Sequence, residues 1–252
     1  LVEYEVDGGR ATITISDPER RNPISVTTME ELGEATRNGL EDPAVRVLVY
    51  TGAGDVFSTG GDLSGSFVDD AVGLHRARGV FGDLFRDMIR GGKPTVARVN
   101  GHALAGGFGL AVACDVTICV DDARLGTTEI AVGLWPMMIS ALLVRVMPRK
   151  AALELMLTGR VIDAFEAQRL GVVSRVVTRA ELDQAVDETV EALQSKSGAT
   201  LMIGRDSYNA MTDLDFDAAL DRLQTGLTAL AMSEDAAEGI AAFLEKREPR
   251  WG

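Results

Sequence analysis

The sequence predicts an α/β protein with a helical C-terminal region, and three observations carry that reading. Up to about residue 177, short stretches of strand character alternate with segments of helical spacing. Val45 to Thr51 is nearly continuously apolar, the pattern of a strand buried on both faces of a sheet. From Ala180 to Lys246 the chain reads as consecutive helices with no strand between them.

Taken in order, Val2 to Val6 and Ala11 to Ile15 each alternate around the turn Asp7-Gly8-Gly9, which predicts a β-hairpin. Thr27 and Glu30 form a capping-box pattern that opens a helix to about Leu40, and Asp42-Pro43 stops it. After the apolar strand comes a glycine-rich loop, Gly52 to Gly61. Asp70 to Ile89 has helical spacing, Gly91-Gly92-Lys93-Pro94 breaks it, and Thr95 to Val99 is the next strand. The loop Asn100 to Gly107 runs into an apolar helix that ends near Asp115. Val116 to Val120 and the shorter Ala123 to Thr127 are strands, and from Pro136 the chain is largely helical apart from Val172 to Val177. The expected division is a core over 1–195 and a helical region over 196–252.

Composition excludes several partners. A chain of 252 residues with 46% hydrophobic and 25% charged residues can bury a full core without disulfides or a metal. A net charge of -13 argues against nucleic acid and against an anionic membrane surface. An anionic ligand would have to be met by a few local Arg or Lys residues, because the overall field repels it. Cys114 and Cys119 form no C-x-x-C, and His75 and His102 lie far apart, so neither a metal site nor a disulfide framework is expected. The apolar run Ala103 to Cys114 is too short to span a bilayer, and the N-terminus has no leader pattern, so no membrane association and a cytoplasmic protein are expected.

Two strands each lead into glycines: Phe57-Ser58-Thr59-Gly60-Gly61-Asp62-Leu63 and Ala105-Gly106-Gly107-Phe108-Gly109. Glycine lets a ligand approach the main chain closely, and a loop entering a helix N-terminus presents free N–H groups. Two converging loops of this kind would make a two-donor site for a developing oxyanion, worth about 3–4 kcal/mol per donor. Read without further context, they are equally tight strand-to-helix turns. Gly52-x-Gly54 is followed by Phe57 where a dinucleotide fingerprint needs its third glycine, and the chain has neither a P-loop nor a G-x-S-x-G elbow.

Phe57 to Leu63 resembles the F-s-x-G-x-D-l segment of the crotonase (enoyl-CoA hydratase/isomerase) superfamily, and Asn100 to Gly107 resembles its N-G-x-a-x-G-G-G segment. Asp115, Thr158-Gly159-Arg160, Ala164 to Gly171, Val172-Val173 and Phe243 to Arg247 also resemble that family, in the right order along nearly the whole chain. The resemblance implies a ββα spiral core with a helical C-terminal trimerisation region, a homotrimer or homohexamer, and an acyl-CoA thioester as substrate. Coenzyme A then enters as part of the substrate and no separate cofactor is expected. It further implies that Gly61 and Gly106 supply the two N–H donors to the thioester carbonyl. Backbone around Thr59, Gly60 and Leu63 is implied to contact the adenine or pantetheine. Arg21 matches a position that contacts CoA, and Lys246 could meet a CoA phosphate; a solvated surface arginine and a helix-end lysine are the plainer readings of these two.

Chemistry at carbons next to a thioester needs an acid and a base. Glu129 matches the family's second glutamate, at a strand end where desolvation would raise its pKa; in isolation it reads as an ordinary loop glutamate. Hydratases carry their first glutamate where this chain has Gly109. One carboxylate holds a water poorly but suffices to move a proton between C2 and C4, so the expected reaction is Δ3,Δ2-enoyl-CoA isomerisation. Enoyl-CoA hydration, and CoA-thioester binding with little catalysis, are the alternatives. Asp69 or Asp70 could supply a second carboxylate, although both fit a helix N-terminus. A dienoyl-CoA isomerase would want an Asp where Trp135-Pro136-Met137 stands. Trp135, Met137 and Met138 either wall the acyl pocket or pack around a helix start at Pro136.

Overall fold

The computed structural model describes residues 1–63 and 71–252. Asp69 and Asp70 lie outside the described residues. Strands β1 (Val2–Asp7) and β2 (Arg10–Ile15) form the expected antiparallel hairpin, followed by β3 (Pro23–Ile24) and α1 (Val26–Glu41). The helix is capped by Ser25, whose Oγ accepts the Thr28 N–H at 3.1 Å, and Thr27 lies inside its first turn. The Thr27 capping box is thus corrected by two residues. Next come β4 (Val47–Gly52), β5 (Gly60–Gly61), α2 (Ala71–Arg90), β6 (Thr95–Val99), β7 (Ala103–Leu104), α3 (Gly106–Ala113), β8 (Val116–Val120) and β9 (Arg124–Gly126). Helices α4 (Met137–Val146) and α5 (Arg149–Thr158), strand β10 (Ile162–Asp163), helix α6 (Ala164–Arg169) and strand β11 (Arg175–Val177) complete the mixed part. The last strand starts later than its apolar run, because the N–H groups of Val172 and Val173 both bond Ala167 O at the end of α6. Helices α7 (Leu182–Gln194), α8 (Gly198–Met211), α9 (Phe216–Ala231) and α10 (Glu234–Glu245) follow.

The strands repeat a unit: one long strand, one two- or three-residue strand, then a helix. The units β2-β3-α1, β4-β5-α2 and β6-β7-α3 have this form, and β8-β9 begins a fourth. The long strands build a sheet in the order β1-β2-β4-β6-β8-β11, parallel from β2 onward, while the short ones pair in smaller sheets, β3-β5 and β10-β9-β7. This is the ββα spiral that the resemblance implies.

Every residue of β4 is buried, which explains its lack of alternation. Tyr50 is fully buried, and its hydroxyl pairs with Thr36 Oγ1 at 2.9 Å on α1, so the helix face packs on the sheet without an orphaned polar group. Lys93 Nζ donates to Gly39 O and Asp42 O, satisfying carbonyls at the C-terminus of α1. Helix α8 is fixed to the core by Arg205, whose Nε bonds both carboxylate oxygens of Asp115 at 2.8 and 2.7 Å. Beyond it, α9 buries no residue, and Phe216, Met232 and Phe243 are at least three-quarters exposed. Among the described residues no helix is long and apolar enough to cross a membrane, and no three His, Cys, Asp or Glu side chains group to hold a metal.

Candidate active site

The short strands bring the two glycine loops together. Ser58 bridges Ala103, and Leu104 N–H donates to Ser58 O at 2.9 Å. One step further, Gly60 and Gly106 touch: a Cβ on Gly60 would stand 3.0 Å from Gly106 N, 2.8 Å from Leu104 O and 2.5 Å from Ala105 Cβ. Gly60 has φ +91°, so both its backbone angle and this contact require glycine.

Gly106 is the first residue of α3, where an N–H has no partner within the helix. Gly61 lies in β5, paired in parallel with β3, and it is the next residue, Asp62, whose N–H bonds Ile24 O at 3.0 Å. Successive N–H groups of a strand point to opposite edges, so the Gly61 N–H faces away from β3. A Cβ on Gly61 would meet nothing within 4 Å, so the space in front of it is open. Gly61 and Gly106 thus carry their main-chain N–H groups on the two segments that meet at Gly60.

A network that the sequence reading missed holds this geometry. Asn22, fully buried with φ +55°, donates from Nδ2 to Ala53 O and Val56 O and accepts Asp17 N–H at Oδ1. Ser58 Oγ donates to Asn22 O at 2.7 Å and accepts Gly60 N–H at 3.1 Å, which aims β5. Asn100 Nδ2 bonds Gly52 O and Gly54 O on the same side. The only cue in sequence is that Asn22 and Asn100 each precede a Pro or a Gly. Ala105 is held at φ +47°, ψ −123°, a conformation costly for an L-residue, directly before the Gly106 donor.

Glu129 joins the same junction through β9. Ala105 N–H donates to Gly126 O at 2.8 Å, and Glu129 starts a 3₁₀ turn three residues later. Its Oε2 is buried without a hydrogen-bond partner, and burial pushes its carboxyl above the ordinary 4.5. Thr127 Oγ1, also buried and unpartnered, lies two residues earlier, between β9 and that turn.

The other predicted positions divide. Arg21 O accepts both the N–H and the Oγ1–H of Thr59, so its backbone joins the β5 loop while its side chain is exposed. Leu63 is half exposed just beyond Gly61. Trp135 is half-buried against the core after the Glu129 turn, and Pro136 caps α4. Met137 points to solvent, whereas Met138 packs on the core. Lys246 caps α10 in a left-handed conformation and, among the described residues, makes no hydrogen bond or ion pair with the junction. His102 holds the loop: Nδ1 accepts Arg124 N–H, and its carbonyl accepts Phe57 and Ser58 N–H. At Gly109 a Cβ would stand 2.7 Å from Ile139 Cγ1 and 3.3 Å from Phe85 Cζ, so that helix position is closed.

The family model described as enoyl-CoA hydratase/isomerase matches residues 5–252. A Thermus thermophilus protein provisionally named an enoyl-CoA hydratase is 35% identical, with 100% of both chains covered. The carnitinyl-CoA dehydratase of Escherichia coli K12 is 34% identical over 97% of this chain and 95% of its own. Among solved structures, an enoyl-CoA hydratase from Mycobacterium smegmatis superposes with a TM-score of 0.95 at 32% identity, covering 100% of this chain and 98% of the other.

Proposed function

Because the chain belongs to the enoyl-CoA hydratase/isomerase family of acyl-CoA enzymes, we propose that it shifts the double bond of a 3-enoyl-CoA thioester to the 2-position. Glu129 takes the proton from C2, the thioester carbonyl becomes an enolate, and the N–H groups of Gly61 and Gly106 hold the oxyanion. The protonated Glu129 then returns the proton to C4 as the C2–C3 double bond forms, leaving the enzyme unchanged. Raising a carboxyl toward neutrality by burial suits both transfers. Coenzyme A enters with the substrate, against Arg21, Thr59, Gly60, Leu63 and Lys246, with Trp135 walling the acyl pocket, and no separate cofactor is part of the proposal.

The observation that carries isomerisation over hydration is the closed position at Gly109. A water attacking C3 needs a second carboxylate, and α3 has no room for one there. Hydration remains the second reading, favoured by the names of the relatives. Assembly through the C-terminal helices, as a trimer or a pair of trimers, belongs to the same proposal and is supported by the exposed Phe216, Met232 and Phe243. The experiment is turnover of 3-enoyl-CoA by the wild type and by Glu129→Gln. A wild type that binds acyl-CoA and converts none of it would favour a binding protein instead.

A further inference from the structure

Among the described residues, Arg21, Asn22, Ala105 and Lys246 have positive φ without being glycine. Arg21 and Lys246 have ψ of 38° and 42°, in the left-handed helical region that an L-residue can occupy. Ala105 has ψ −123°, in the mirror image of the extended region, where glycine is the usual occupant. A methyl group thus stands where the backbone suits a glycine.

The peptide unit between Ala105 and Gly106 is planar, so Ala105 ψ sets the direction of the Gly106 N–H relative to Ala105. Both polar groups of Ala105 are tied. Its N–H donates to Gly126 O at 2.8 Å, on the strand that leads to Glu129, and its carbonyl accepts Gly109 N–H at 3.0 Å, in the first turn of α3. The methyl meets the third neighbour. Ala105 is buried, and a Cβ built on Gly60 would stand 2.5 Å from Ala105 Cβ, so the methyl rests against Gly60, the residue before the Gly61 donor. Gly60 is held from its other neighbour by Ser58 Oγ, which accepts its N–H at 3.1 Å. Ala105 is therefore in contact with each of the segments that carry Gly61, Gly106 and Glu129. Taking away its methyl would leave a one-carbon gap between Gly60 and the start of α3 without removing a hydrogen bond.

We propose that Ala105 is a positioning residue for the reaction, its methyl being the spacer that sets the separation of the Gly61 and Gly106 N–H groups. This rests on the reading that those two groups bind the thioester carbonyl. A glycine at 105 relieves the backbone angle and keeps both hydrogen bonds, yet frees the two segments to shift against each other. Donors at an oxyanion site act at the place the charged oxygen takes, so a small displacement costs turnover far more than it costs binding.

Ala105→Gly in the intact chain tests this, with whichever of 3-hexenoyl-CoA and 2-hexenoyl-CoA the wild type converts faster. With the fold intact by circular dichroism, kcat should fall at least about tenfold while KM changes less than about twofold, the pattern of an interaction made in the transition state. The second readout is the infrared carbonyl stretch of bound butanoyl-CoA, labelled with carbon-13 at the thioester carbon. The wild type should lower that stretch relative to the free thioester in water, and the variant should lose at least about half of the shift. An unchanged kcat, a change in KM alone, or a lower kcat with the full carbonyl shift retained would overturn the spacer and leave the carbonyl site standing. A wild type that leaves the stretch unshifted would overturn the carbonyl site itself, and the spacer with it.

Discussion

Gly109 on α3 lies against Ile139 on α4 so closely that a Cβ on the glycine would stand 2.7 Å from Ile139 Cγ1. Phe85 closes the remaining side, and both side chains are buried. Helix packing, and not only the absence of a side chain, keeps a carboxylate from this position. Gly109→Glu should therefore fail to create a hydratase. Overpacking costs about 1–3 kcal/mol, and a buried unpaired charge adds to it. A lowered melting temperature with no gain in 2-enoyl-CoA hydration is expected, and Ile139→Ala added to it should recover part of the lost stability. Efficient hydration by the single variant would show that the site can be opened without cost.

Glu129→Gln removes the carboxylate that the proposed reaction uses as its proton shuttle. Loss of a positioned acid–base group lowers turnover about 10²–10⁴-fold. Isomerisation of 3-enoyl-CoA should fall by that factor, with acyl-CoA affinity by calorimetry changed only slightly. Full activity in this variant would move the proton transfer to another group.

Burial raises the Glu129 carboxyl above 4.5, and it must be ionised to accept the C2 proton. The acid limb of kcat/KM against pH should accordingly sit above the ordinary glutamate value, with activity falling as pH drops through the raised pKa. An acid limb at 4.5 or below would show that Glu129 is solvated in the free enzyme.

The same shift links to stability. The folded protein holds the Glu129 proton more tightly than the unfolded chain, so its contribution is favourable below the unfolded pKa and is lost as pH rises through the folded one. At neutral pH the buried charge opposes folding, and Glu129→Gln should melt higher than the wild type there. The difference should shrink as the pH is lowered toward 4.5. Equal melting temperatures at both ends of that range would contradict this.

Ala105 carries backbone strain of about 1–3 kcal/mol, against about 0.5–1 kcal/mol of chain entropy that a glycine would add to the unfolded state. Ala105→Gly should raise the melting temperature. Gly60→Ala should do the reverse and abolish turnover, because its Cβ would strike Ala105 Cβ and Leu104 O beside the Gly106 donor. An active Gly60→Ala enzyme would mean that the two loops need not touch.

The long strands and most helices were legible because burial writes itself into apolar runs, as in β4, and helical spacing into α2. The two-residue strands β3, β5 and β7 were not, since periodicity needs more residues than they have. Those short strands build the junction, so the repeating ββα unit emerged only in three dimensions. Gly61, Gly106 and Glu129 were located by resemblance, while the meeting of the segments that carry them follows from the pairing of Ser58 with Ala103 and of Ala105 with Gly126. The supporting amides of Asn22 and Asn100 passed unnoticed because their partners lie about thirty to fifty residues away, beyond any local pattern.

A direct comparison of two substrates decides between one carboxylate and two. The intact enzyme is given 3-hexenoyl-CoA and, separately, 2-hexenoyl-CoA, and the products are separated by chromatography. A single proton shuttle predicts 2-hexenoyl-CoA from the first at a rate at least about 100-fold above 3-hydroxyhexanoyl-CoA formation from the second. Hydration of 2-hexenoyl-CoA at an equal or greater rate, with Gly109 unchanged, would contradict it.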